Sequence, residues 1–175
     1  MNRRSFLKQA STLGGAAFLA PSLLRSIDFS PSGTTHVAFV KTGDRAAGVA
    51  RAIDLLGLSK FGGKDFFIKP NFNSADATPG STSEETLAAI LKKLKTMGAG
   101  PMTIGDRSGM GNTQEVMEQK KVFTLGKELG AKVVVFDQLK ADDWEHLKAT
   151  EGHWRQGFAI PKMVRQAGGS CRPAA

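Results

Sequence analysis

The sequence predicts an α/β fold, a mostly parallel sheet with helices packed on its faces, and three observations lead there. Short runs of β-forming apolar residues alternate with amphipathic helical stretches in the order strand, helix, strand, helix, strand, helix, strand. That order yields parallel strands joined by right-handed crossovers. Each run ends abruptly on polar residues, at Lys41-Thr42, Lys69 to Asn73, Asp106 to Ser108 and Asp137. In sheets of this Rossmann-like, three-layer kind, ligands bind outside the carboxyl ends of the strands, so these residues converge on one edge. The chain of 175 residues, 41% of them hydrophobic, is long enough to pack one core.

The first strand is expected at Val37-Ala38-Phe39-Val40, with Lys41-Thr42-Gly43-Asp44 breaking it and Asp44 capping a helix that carries Val49, Ile53 and Leu56 and stops at Gly57. Gly62-Gly63 turns the chain back into a second strand, Phe66-Phe67-Ile68. The loop from Lys69 to Thr82 follows, with two prolines and three amide or carboxylate side chains. Leu87, Ile90, Leu91, Leu94 and Met97 then form one apolar helix face. Ser81, Thr82 or Ser83 can cap that helix, Ser81 with Glu84 and Thr82 with Glu85 both fit a capping box, and Gly98 ends it. Met102-Thr103-Ile104-Gly105 is the third strand. Asn112 with Glu115 starts the next helix, which breaks near Lys120-Lys121, because Val116 and Met117 are out of phase with Val122, Leu125 and Leu129. Val133-Val134-Val135-Phe136 is the fourth strand. Beyond Asp137 the pattern gives a loop with a hairpin and then, over residues 168–175, an unstructured tail.

Residues 1–30 read as signal and linker. Asn2-Arg3-Arg4-Ser5-Phe6-Leu7-Lys8 precedes an Ala/Gly/Leu run that is free of charge from Gln9 to Leu24, the pattern of a twin-arginine export signal. The expected partner is the twin-arginine translocase and the expected location the periplasm. The run is too short and too glycine-diluted for a permanent transmembrane anchor. Linker composition continues to Thr35, and the domain is expected over 36–167. The net charge of +8 falls to +5 without the first twenty residues, whose only charges are Arg3, Arg4 and Lys8. Lys92, Lys93, Lys95, Lys120 and Lys121 have no interleaved aromatics, so they read as solvated helix faces rather than a nucleic-acid surface. Cys171 alone supplies neither a disulfide nor an iron-sulfur ligand set.

Lys69-Pro70-Asn71-Phe72-Asn73-Ser74-Ala75-Asp76 with Pro79-Gly80-Ser81-Thr82, then Ile104-Gly105-Asp106-Arg107-Ser108-Gly109-Met110-Gly111-Asn112-Thr113, then Phe136-Asp137 and His153-Trp154 with Gly157-Phe158, resemble the family called domain of unknown function 362. The resemblance runs in order from His36 to Ala167. It implies twin-arginine export, as Arg3-Arg4 suggests here, and an association with iron-sulfur proteins, although this sequence has no ferredoxin-type segment. It also implies that the domain continues past Ala175, so that the chain is expected to be truncated at its C-terminus, with some of the sheet and some of the site missing. The family has no assigned reaction and transfers no mechanism.

Lys69, Arg107, Asn71, Asn73, Thr82 and Ser108 suit an anionic or carbonyl ligand, aided by free N–H groups at the following helix start. Glu84 and Glu85 already complement that helix end and disfavour a bare phosphate. Asp106 and Asp137 leave separate strands and are candidates for an acid–base pair or for ligands of a divalent metal, against which stands the role of fixing loops by hydrogen bonds. Asp142, Asp143, His146 and His153 match no compact zinc spacing. Gly105, Gly109 and Gly111 form neither standard nucleotide loop, and Ser108 lacks a glycine elbow. Two functions are therefore expected in competition. One is an exported redox-associated or metal-dependent enzyme; the other is a non-catalytic module for a small polar ligand, beside the plain outcome of an inactive shortened product.

Overall fold

The computed structural model describes residues 35–148 and 154–170. The chain divides into two units, Met1–Thr35 and His36–Ala175, and the sheet lies wholly in the second. The expected export signal, Cys171 and His153 lie outside the described residues.

Helix α1 (Arg45–Leu55) begins where the Asp44 carboxylate accepts the Ala47 N–H at 2.9 Å, and it ends as Gly57 turns left-handed at φ +62°. Strand β1 (Phe66–Ile68) leads through the 69–82 loop to α2 (Glu84–Thr96). The cap of α2 is Ser83, whose hydroxyl accepts the Thr86 N–H at 3.1 Å. Neither expected capping box forms, because Ser81 and Thr82 are turned into the loop, Ser81 donating to the Asp76 carbonyl and Thr82 accepting from the Asn71 N–H. Strand β2 (Met102–Asp106) is followed by α3 (Thr113–Gln119), capped by Asn112, and by α4 (Val122–Leu129). The helical path breaks where the apolar phase does, at Lys121, which is left-handed at φ 53°. Gly130 then turns the chain into β3 (Ala131–Val135). Phe136 is not in that strand but opens a single 3-10 turn, Phe136–Gln138. The expected hairpin is β4 (Trp144–Leu147) against β5 (Phe158–Pro161), and a short helix α5 (Lys162–Gln166) and a two-residue strand β6 (Gly169–Ser170) complete the described chain.

The sheet is parallel throughout, in the order β3-β2-β1-β6, with Phe66 beside Met102, Ile104 beside Val133 and Asp106 beside Val135. One face carries the main core: Ile68, Met102, Ile104 and Val135 lie under Leu87, Leu91, Met117 and Val122 of the helices. The opposite face carries a smaller cluster of Phe67, Val134 and Phe136, covered by Trp144, Met163 and Val164. Helices α2–α4 therefore lie on one face, and the hairpin with the short helix α5 covers the other.

Two expectations change. Val37–Val40 forms no strand: Val37 is 84% and Phe39 85% exposed, and β1 takes its second neighbour from the far end of the chain. That neighbour is Gly169–Ser170, within the stretch expected to have no structure. Backbone pairing needs no side-chain period, so a Gly-Ser pair can extend a sheet edge without announcing itself in the sequence. Helix α5 is a further addition to the expected elements; Met163 and Val164 are its signal, an apolar pair just after Pro161.

Candidate functional site

The loop after β1 is fixed by an apolar residue. Phe72 is 1% exposed and packs into the main core, which draws the polar residues on either side of it against the sheet edge. Its N–H donates to Asp106 Oδ2 at 2.7 Å, and the other carboxylate oxygen takes the Lys69 ammonium at 2.5 Å. Asp106, itself 1% exposed, thus braces the loop of β1 from the end of β2. Further along, Ser108 donates its hydroxyl to the Asn73 carbonyl at 2.6 Å, and the Asn73 side-chain oxygen accepts from Gly109 N–H at 3.0 Å. Asp137 has a similar role at the neighbouring strand, accepting from Arg107 Nε at 2.8 Å and from the Thr113 hydroxyl. Thr113 in turn accepts the Ser108 N–H at 2.9 Å. Among the described residues no buried side-chain polar atom lacks a partner.

These bonds sort the expected site residues. Lys69, Asn71 and Thr82 come together at the polar end of an open groove of about 830 Å³, whose body is apolar and runs between α1, α2 and β1. Asp137 lines a separate cleft of about 220 Å³ with Asn112, Thr113, Gln114 and Gln138. Asn73 and Ser108 line neither; their polar groups stitch the β1 loop to the β2 loop. Asp106 and Asp137 are each bonded to a different cation, Lys69 and Arg107. Among the described residues no group of three His, Cys, Asp or Glu side chains is placed to hold a metal ion. Asp143 accepts from the Lys140 N–H, and His146 stands exposed on β4. Glu84 and Glu85 at the start of α2 face Lys121 and Arg45, each at 3.6 Å, so the charge that disfavours an anion there is partly offset.

The family model of a domain of unknown function, DUF362, matches residues 67–168, more than half of the chain, from β1 through α5. The chain belongs to this family. No curated protein and no solved structure matches it significantly. The match takes in the whole braced edge of this DUF362 domain and leaves α1 outside it.

At the polar end of the groove, three side chains keep a proton to donate. The Lys69 ammonium uses two protons, on Asp106 and on the Pro70 carbonyl at 3.2 Å, and has a third. The Asn71 amide has only a 3.5 Å contact with the Gly80 carbonyl, and the Thr82 oxygen, having accepted from Asn71 N–H, keeps its own proton. Three donors at one end of an apolar groove fit an acceptor oxygen on a ligand. Among the described residues no helix is long and apolar enough to cross a membrane.

Proposed function

We propose that this DUF362 domain binds a small ligand through an oxyanion or a carbonyl oxygen held by Lys69, Asn71 and Thr82. The observation that carries the reading is the spare donor on each of these three residues, gathered at one end of a single groove. Asp106 serves this site as a positioning residue, because it aims the Lys69 ammonium and fixes the loop that bears Asn71. Titration of the full chain with malonate and with its neutral diamide separates the two ligand chemistries: tighter malonate means that the ammonium charge is used. Asn71→Ala removes no strong internal bond, so it should weaken the preferred probe about tenfold without lowering stability, and Lys69→Met should weaken malonate by at least as much. Equal affinities in wild type and both variants would move the ligand elsewhere. One metal ion per chain in protein purified from the cytoplasm would instead favour the redox-associated or metal-dependent enzyme.

We also propose that the domain acts after twin-arginine export, a reading supported by Arg3-Arg4 ahead of the charge-free run from Gln9 to Leu24. Replacing Arg3 and Arg4 together by Lys should keep the chain in the cytoplasm, as read by fractionation; unchanged export of that variant would refute it.

A further inference from the structure

Helix α1 has the position and direction of a crossover helix, yet among the described residues no strand precedes it. Each step from β1 to β2 to β3 moves the chain one place in the same direction, with the connecting helices on the same face of the sheet. Helix α1 lies beside α2 and parallel to it: Arg45 pairs with Glu85 at their N-terminal ends, and Asp54 with Lys93 near their C-terminal ends. Since α2 starts at the carboxyl edge of the sheet, so does α1, and the segment before α1 must arrive at that edge. A right-handed crossover through α1 onto β1 places its strand on the side of β1 away from β2. Among the described residues that side holds Gly169–Ser170, beside Phe66 and Phe67. Under α1, the apolar groove is walled by Ile53, Leu56, Phe66, Ile68, Leu87 and Ile90.

We propose that Val37–Val40 seats in this groove as an edge strand beside β1, displacing Gly169–Ser170, and that seating delivers Lys41 to the ligand site beside Lys69. The segment fits in three ways. Its residues are β-formers joined to α1 by the short connection Lys41–Asp44, which is already ordered by the Asp44 N–H donating to the Thr42 hydroxyl at 3.1 Å. Val37 and Phe39, exposed as they stand, gain cover. Lys41 directly follows Val40 as Lys69 directly follows Ile68, so in that register Ala38 and Val40 face the groove with Phe66 and Ile68. Val37 and Phe39 then join the face of Phe67, and the two lysines end side by side. The role of Lys41 rests on the ligand reading above; the seating of the strand does not.

Hydrogen exchange on the full chain without ligand tests the seating, and malonate titration tests Lys41. Amides of residues 37–40 should exchange at least about tenfold more slowly than in a free peptide, and Phe39→Asp should abolish that slowing while β2 amides stay protected. Free-peptide rates at 37–40 overturn the proposal. So does slowing that appears only in a dimer by sedimentation, which would make a second copy the occupant. Lys41→Ala should weaken malonate about tenfold with the slowing intact; unchanged affinity overturns the role of Lys41. Slowed exchange in a chain that binds no malonate would uphold the seated strand and reject the ligand reading.

Discussion

Asp106→Ala should cost about 2–4 kcal/mol of stability, more than any other polar substitution in the domain, as read by denaturant unfolding. Removing this carboxylate leaves the Phe72 N–H buried without an acceptor and the Lys69 ammonium without its ion pair. The first loss dominates. The Lys69 side chain is 54% exposed and regains water, whereas Phe72 is shut into the core and its N–H cannot. Asp106→Asn keeps one acceptor oxygen but points an amide donor at one of the two donors, so it should fall between wild type and Ala. If Asp106→Ala proves as stable as wild type, the carboxylate is not the brace of the loop, and a role in ligand chemistry becomes the better explanation of its burial.

That brace is only half visible in the sequence. The sites of polar exit from the strands, Lys69, Asp106 and Asp137, follow from where apolar runs stop, and the structure puts them at one edge as parallel topology requires. What those side chains do there depends on partners 24 to 37 residues away, and no local pattern specifies them. Asn73 and Ser108 look like ligand donors when only the loop composition is considered, but each meets a backbone group of the other loop first. Phe72 is the missed signal: a phenylalanine flanked by asparagines is out of place in a solvated loop, and its burial is what turns its neighbours inward. Helix ends are legible, because caps and glycine stops act within four residues. The sheet edge is not. Val37–Val40 has the composition of a strand, whereas Gly169–Ser170, which pairs with β1, has no side-chain signature of one.

Gly105 shows the same limit in a residue whose chemistry is only the absence of a side chain. With Gly109 and Gly111 it forms no standard nucleotide loop, and it sits within β2 on the face of the smaller cluster, between Phe67 of β1 and Phe136 just after β3. The two rings stack across it, with centroids 5.8 Å apart and planes inclined by 24°. A Cβ at Gly105 would meet Phe67 Cζ at 2.6 Å and Phe136 Cε1 at 2.7 Å. Both rings are buried, and Trp144 holds Phe136 from a third side in an edge contact at 6.1 Å, so neither can swing away freely. Gly105→Ala should therefore cost about 1–3 kcal/mol by overpacking. Gly111→Ala, whose Cβ would have Val116 at an ordinary 3.5 Å and whose φ is not left-handed, should stay within about 0.5 kcal/mol of wild type. The contrast separates packing from ligand binding. If Gly105→Ala lowers the unfolding midpoint while malonate affinity at Lys69 holds, the glycine exists for the aromatic pair. The opposite result, a silent midpoint with lost binding, would mean that the backbone of β2 reaches the ligand and that the site extends one strand further than Lys69, Asn71 and Thr82 define it.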